Sequence, residues 1–156
     1  MSKSLKRVTA ALEALNLPGR PVEMPSETRT AAQAAAAVGC EIDQIAKSIL
    51  FACGDGCALF LTAGGNQVDG ARASALAGAA LGRADAATVR AVTGFAIGGV
   101  SPLGHLSPSP VWMDRRLMAF DQVWAAAGTP RHVFPIAPQA LLRATGATLA
   151  DFTRPA

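Results

Sequence analysis

Two short apolar runs, Ser48–Cys53 and Cys57–Thr62, flank Gly54-Asp55-Gly56 and constrain the fold more than any other stretch. Runs of this length broken by a Gly-Asp-Gly turn predict a β-hairpin. Neither run alternates with polar residues, so both faces of the hairpin are expected to be buried. The rest of the chain must then cover a sheet on two sides.

The flanking segments look able to do so. Leu5, Val8, Leu12 and Leu15 recur at helical spacing and predict an amphipathic helix over residues 4–15. Val22-Glu23-Met24 reads as a short strand. Thr30 with Gln33 forms the signature of a capping box ahead of an alanine-rich helix that Gly39 should stop. A second short helix is expected over Glu41–Ala46, and Gly64-Gly65-Asn66 reads as a loop. Asp69 and Asp85 are placed to cap helices running to Ala77 and Val92, with a brief strand at Leu81–Ala84 between them. Pro110–Met113 reads as a strand. Gln122–Ala127 and His132–Ile136 form a second hairpin around Gly128-Thr129-Pro130, and Pro138 opens a last helix over Gln139–Ala144 that Gly146 ends. Short strands interleaved with helices, without a repeated βαβ unit, predict an α+β fold. Its sheet should be mixed, largely antiparallel and curled or barrel-like, with about six to eight strands surrounded by helices.

The chain has 156 residues, enough for one domain over residues 1–156 with a real core. No apolar run approaches the roughly 20 residues of a membrane span. The first residues carry early lysines but no apolar leader segment, so no signal peptide and a cytoplasmic location are expected. A net charge of +3 excludes no partner. Three cysteines and two histidines at irregular spacing offer neither a disulfide framework nor a zinc site. Cys53 and Cys57, on either side of the hairpin turn, are expected to face each other across the strands as free thiols.

Two features carry the chemistry. The segment Thr93–His105 (TGFAIGGVSPLGH) reads as a short buried strand, Phe95–Ile97, opening into a rigid loop of Gly98, Gly99, Ser101, Pro102 and Gly104. Glycines there allow positive φ and the close approach of another molecule, and backbone N–H groups could face a carbonyl or phosphate oxygen. The same glycines also suit an ordinary turn. The second feature is Lys47, read as lying between the Ile42–Ala46 helix and the strand that starts at Ser48. A partly desolvated ammonium there would seek an anionic or carbonyl partner, although a lysine at a helix end also snorkels to solvent.

Together with their surroundings these residues resemble a known family. IAKSILF (Ile45–Phe51), LTAGGNQVD (Leu61–Asp69), TGFAIGGVSPLGH, FDQVWAAAGTP (Phe120–Pro130) and FPIAPQALLRATG (Phe134–Gly146) follow one another as in the YbaK/ProX family. These are free-standing relatives of the editing domain of prolyl-tRNA synthetase. The resemblance runs from about Leu5 to Gly146, and its most specific parts are Lys47 and the G-x-x-x-P loop, Gly98–Pro102.

It implies an aminoacyl-tRNA deacylase acting in trans, with tRNA for proline as the carrier, a small amino acid (alanine, 2-aminobutyrate or cysteine) as the group removed, and no cofactor or metal. Prolyl-tRNA synthetase is a further partner it suggests, and monomer and homodimer both stay open. By position Lys47, Gly98 and Gly99 inherit the family's role of orienting the ester.

Ser101, Pro102 and Gly104 belong to the same loop, and His105 just beyond it reads as a general base, a phosphate contact or a solvated loop histidine. Met24, Thr28 and Ile49 are pocket or core residues. In the last hairpin, some relatives carry a histidine where this chain has Phe134, with His132 two residues earlier, and others an aspartate where it has Val133; the resemblance implies that these positions tune the amino-acid pocket. A serine hydrolase elbow and a dinucleotide-binding G-x-G-x-x-G are both absent. The remaining alternative is a domain of this fold that binds tRNA or a synthetase without catalysis.

Overall fold

The structure, a computed structural model, describes residues 2–156. Helix α1 (Lys3–Ala14) buries Leu5, Val8 and Leu12 at three- and four-residue spacing, and the Ser2 hydroxyl accepts the Leu5 N–H at its start. A short edge strand, β1 (Val22–Glu23), precedes α2 (Ala31–Val38). The Thr30 side chain caps α2 by accepting the Gln33 N–H, and Gly39 ends it in the left-handed region at φ +74°. The capping box closes one residue early: Gln33 Oε1 accepts the N–H of Arg29, 2.8 Å away, rather than that of Thr30.

After α2 the helix expected to run to Ala46 is only a 3₁₀ turn, Ile42–Gln44. Ile45 and Ala46 are instead drawn out as the start of strand β2 (Ile45–Cys53), because each finds a partner on a distant strand. The hairpin forms as read: β2 pairs antiparallel with β3 (Gly56–Ala63) around a tight Gly54-Asp55 turn. Burial is uneven, with β3 almost wholly buried and most of β2 half-buried, so the two-sided burial expected of both runs holds for β3 alone. Cys53 pairs with Gly56 and Cys57 with Ala52, so the two thiols point to opposite faces and do not meet across the strands. All three cysteines are free.

The chain continues through β4 (Asn66–Val68), α3 (Gly70–Ala77), β5 (Gly82–Arg83) and α4 (Ala86–Thr93). Asp69 and Asp85 cap α3 and α4 through their carboxylates. Then follow β6 (Val111–Asp114), a 3₁₀ segment at Arg115–Ala119, β7 (Val123–Thr129), β8 (His132–Ile136) and α5 (Pro138–Thr145). Sequence reading missed three strands: β4, whose first residue Asn66 reads as loop, and β9 (Thr148–Ala150) and β10 (Thr153–Pro155), which close the chain. Three-residue strands are too short to show a period.

The main sheet runs β1-β8-β7-β2-β3-β6-β9, with β5 added to β2, while β4 and β10 form a separate ribbon. Pairings β1–β8, β7–β8, β2–β3 and β2–β5 are antiparallel, whereas β2–β7, β3–β6 and β6–β9 are parallel. The expected mixed α+β sheet with helices around it is what forms. The major core lies on one face, where α1 packs Val8 and Leu12 onto Ala46, Leu61, Met113, Val123 and Phe134. Two smaller clusters cover the other face. One joins Phe60, Ala73 and Phe152, and the other seats Ala34 and Ala35 of α2 on Ile45 and Trp124. Lys47 shares the β2 face of Ile45 and Ile49, between those two clusters.

The short α2 helix owes its start to one side-chain bond. Replacing Thr30 with alanine should lower stability by about 1 kcal/mol in denaturant titration. An unchanged midpoint would mean that packing on Ile45 and Trp124 alone defines the helix start.

Candidate active site

Strands β2 and β7 touch in register only at Ile45–Trp124 and Ala46–Ala125. Beyond Ala46 they part, and β5 reaches β2 only at Phe51 and Ala52. The edge of β2 between those points is left without a strand neighbour, and a cleft of about 280 Å³ opens there. Its walls come from Met24 and Thr28–Ala31 beside α2, from Ile45–Ile49, from Trp124–Ala126, and from Thr129, Pro130, His132 and Val133 at the β7–β8 turn. Ala34, Gly98 and Val100 complete it. Most of this lining is apolar, with Lys47, Arg29 and His132 as its titratable members.

Lys47 is the third residue of β2, not a residue at a helix end. This corrects its expected setting, because Ile45 and Ala46 are strand residues held by β7. A lysine within a strand cannot snorkel along a helix axis. Here its side chain is half-buried, and Nζ donates to the backbone oxygen of Asn66. Burial pushes the Lys47 ammonium below the ordinary lysine pKa, while the carboxylates of Asp114 and Asp43 pull the other way. Asp43 itself lies below the usual carboxylate range, chiefly through its hydrogen bond with Arg116. One bond to Asn66 leaves the ammonium with two further donors.

The glycine loop differs from its reading. Phe95–Ile97 is not a strand: Phe95 is buried, but Ile97 is 55% exposed. The segment pairs with no strand because it turns at once, the Gly99 N–H donating to the Ala96 oxygen at 3.0 Å. Gly98, at φ +89°, occupies the third position of that turn, where only glycine sits without strain. It reaches the cleft, and among the described residues its N–H has no protein acceptor. Gly99 does not line the cleft. Its N–H is taken by Ala96, and a Cβ on it would come within 3.0 Å of the Thr129 backbone, so it serves close packing against β7.

Of the other candidates, Met24, Thr28, Ile49, His132 and Val133 line the cleft with Lys47 and Gly98. His132 Nδ1 is 2.6 Å from the Thr129 hydroxyl. Ser101 and Phe134 are fully buried and face no ligand space; Ser101 Oγ accepts the Leu103 N–H, and Phe134 belongs to the main core. Alternation along β8 explains Phe134, since its neighbour Val133 takes the cleft side. Pro102, Gly104 and His105 line a different cavity beside α1 and α5. His105 is neither solvated nor poised at the cleft. Its Nε2 bonds with the Ser101 oxygen, its ring meets Phe95 edge-on, and burial lowers its pKa below the ordinary histidine value. Sequence reading missed Arg29, Trp124, Val100 and Thr129. In a sequence, Trp124 and Val100 look like core, and Arg29 is only the residue before a cap.

Residues 25–144 match the family described as the aminoacyl-tRNA editing domain. The chain belongs to this family. Two solved structures are similar over 99% of both chains, each with a TM-score of 0.93. The one at 46% identity is described as a proposed trans-editing enzyme for prolyl tRNA synthetase, and the one at 44% comes from epitope grafting onto scaffold proteins. The uncharacterized protein YwhH of Bacillus subtilis (strain 168) is 30% identical over 139 residues, 88% of each chain. The resemblance seen in the motifs is thus correct, and this editing-domain protein is an aminoacyl-tRNA deacylase. Among the described residues no helix is long and apolar enough to cross a membrane.

Placing Phe134 in the core has a measurable consequence. Phe134→Ala should cost about 3–5 kcal/mol of stability. At a temperature where the variant is folded, the order in which it prefers its substrates should stay as in the parent. A reordered preference with little loss of stability would return Phe134 to the pocket.

Proposed function

We propose that the cleft hydrolyses, in trans, the ester of tRNA for proline mischarged with a small uncharged amino acid. Alanine, 2-aminobutyrate and cysteine are the candidates. One observation carries the reading: Lys47 and Gly98, whose N–H has no acceptor among the described residues, line the same small cleft, whose walls are otherwise mostly apolar. An activated ester needs charge stabilisation and positioning more than a protein nucleophile. The trans-editing description of the 46% identical structure agrees with this reading.

In the mechanism, the aminoacyl group enters between Met24, Ile49, Trp124 and Val133, with the terminal ribose at the mouth. Lys47 holds the ester or the terminal adenosine, and the Gly98 N–H faces the carbonyl oxygen. Water, oriented by the free ribose hydroxyl, adds to the carbonyl carbon. Negative charge then grows on the carbonyl oxygen, where a fixed dipole and a cation act most strongly in a site of low polarity. The tetrahedral intermediate collapses by breaking its bond to the ribose oxygen, which takes up the proton that the water released. Free amino acid and uncharged tRNA leave. In this reading the reaction runs in the cytoplasm, with prolyl-tRNA synthetase as the source of the substrate and a docking partner.

An apolar pocket separates side chains one methylene apart by only about 1–3 kcal/mol, so several small groups should be removed at graded rates. A panel of alanyl, 2-aminobutyryl, cysteinyl, seryl and prolyl esters of tRNA for proline tests this directly. Cleavage of the prolyl ester as fast as the alanyl one would sink the editing reading. Tight tRNA binding without any turnover would favour the non-catalytic alternative.

Lys47→Ala should slow hydrolysis by about a hundredfold with the fold retained. Gly98→Ala forces a Cβ into a left-handed turn position and should impair turnover far more than its strain of about 1 kcal/mol impairs folding. Lys47 acts as a cation, so the wild-type rate should fall as pH rises through a lysine pKa lowered by burial. An alkaline limb at the free-lysine value would show the ammonium to be solvated in the working enzyme.

A further inference from the structure

Behind Lys47 lies a cluster that the cleft itself does not contain. The backbone oxygen that receives Nζ belongs to Asn66, at the end of the Gly64-Gly65 turn. The Asn66 side-chain amide donates to Asp114 Oδ2 at 3.0 Å. That carboxylate is buried, only 5% exposed, and also accepts the Ala63 N–H at 3.0 Å and the Arg116 N–H at 2.9 Å. On the other side of the turn, Asp43 Oδ1 accepts the Gly65 N–H at 2.7 Å, and its Oδ2 pairs with Arg116 Nε at 2.9 Å. The turn has no slack. A Cβ on Gly65 would lie 2.4 Å from Asp43 Oδ1, and one on Gly64 2.1 Å from the Ile42 oxygen.

A buried carboxylate that accepts three protein N–H groups is fully engaged, so Asp114 holds the Asn66 side chain in one place while it also caps the following 3₁₀ segment. Two carboxylates from different elements, the 3₁₀ turn at Ile42–Gln44 and the end of β6, converge on one turn, and the atom that turn presents is the acceptor for Lys47.

We infer that Asn66 and Asp114 are positioning residues: Asp114 clamps the Asn66 side chain so that the Asn66 carbonyl aims the Lys47 ammonium into the cleft. Asp114 and Asp43, which flank the turn that receives Nζ, favour the charged form of the ammonium. Of the other charged or titratable groups among the described residues, Arg116 is paired with Asp43, and Arg29 and His132 line the cleft with Lys47. The catalytic part of this inference rests on the deacylase reading of the cleft, whereas the electrostatic part does not.

The chain has three lysines, Lys3, Lys6 and Lys47, so the Lys47 side chain can be followed by carbon-13 NMR and assigned by its loss in Lys47→Ala. In Asp114→Asn the Lys47 titration should move down by about 1 pH unit. In Asn66→Ala, which keeps the carbonyl but not its clamp, kcat on the best ester of the panel should fall by about tenfold or more with KM little changed. Circular dichroism should show both variants folded. Should Asp114→Asn not fold, Asp43→Asn replaces it in the titration with a downward shift of the same sign.

A Lys47 titration that stays in place when the carboxylate is neutralised overturns the inference, as does full kcat in Asn66→Ala. If the wild type cleaves no ester, the deacylase reading fails, and the titration alone still decides whether this cluster controls the ammonium.

Discussion

The antiparallel pairing of β2 with β3 is the interaction on which the rest of the molecule depends. It sets Ala46 and Leu61 into the main core under α1, and presents Ile45, Lys47 and Ile49 to the opposite face. Because β3 is buried from Cys57 to Ala63, the hairpin cannot shift by one residue without turning every buried side chain around. The register of Lys47 is therefore as firm as that of the core. A cation placed on such a strand is held by the whole hydrophobic effect of the sheet, at no cost in local flexibility.

The cleft arises where this sheet is incomplete. Parallel strands β2 and β7 meet for two residues and then diverge, leaving an open edge that neither β7 nor β5 fills. Into that gap come the Gly98 turn, packed on β7 through Gly99, and the β7–β8 turn with His132. Backbone polar groups that a continuous sheet would pair are thus available beside a cation, in a wall of Met24, Trp124 and Val133.

Electrostatics at this site is a balance. Burial works against the Lys47 charge, and Asp114 and Asp43 work for it. Neither carboxylate lines the cleft. Behind the lysine they are engaged by Arg116, Asn66 and backbone N–H groups, which leaves the cleft itself without a carboxylate.

Much of this was legible in the chain itself. The hairpin, the caps at Thr30, Asp69 and Asp85, the glycine stops and the demand for positive φ at Gly98 are local, written in periodicity and turn chemistry within a few residues. Motif order was enough to indicate the family. Tertiary structure decided the rest. It drew Ile45 and Ala46 out of an expected helix by pairing them with β7, so that Lys47 became a strand residue. It left Phe95–Ile97 unpaired, buried Ser101 and Phe134, and turned His105 into a second cavity. It also brought Asp43, Asn66 and Asp114 together behind the lysine. These outcomes depend on parallel pairings and packing between segments far apart in the chain, and no short stretch of sequence records which distant partner a strand edge or a carboxylate will meet.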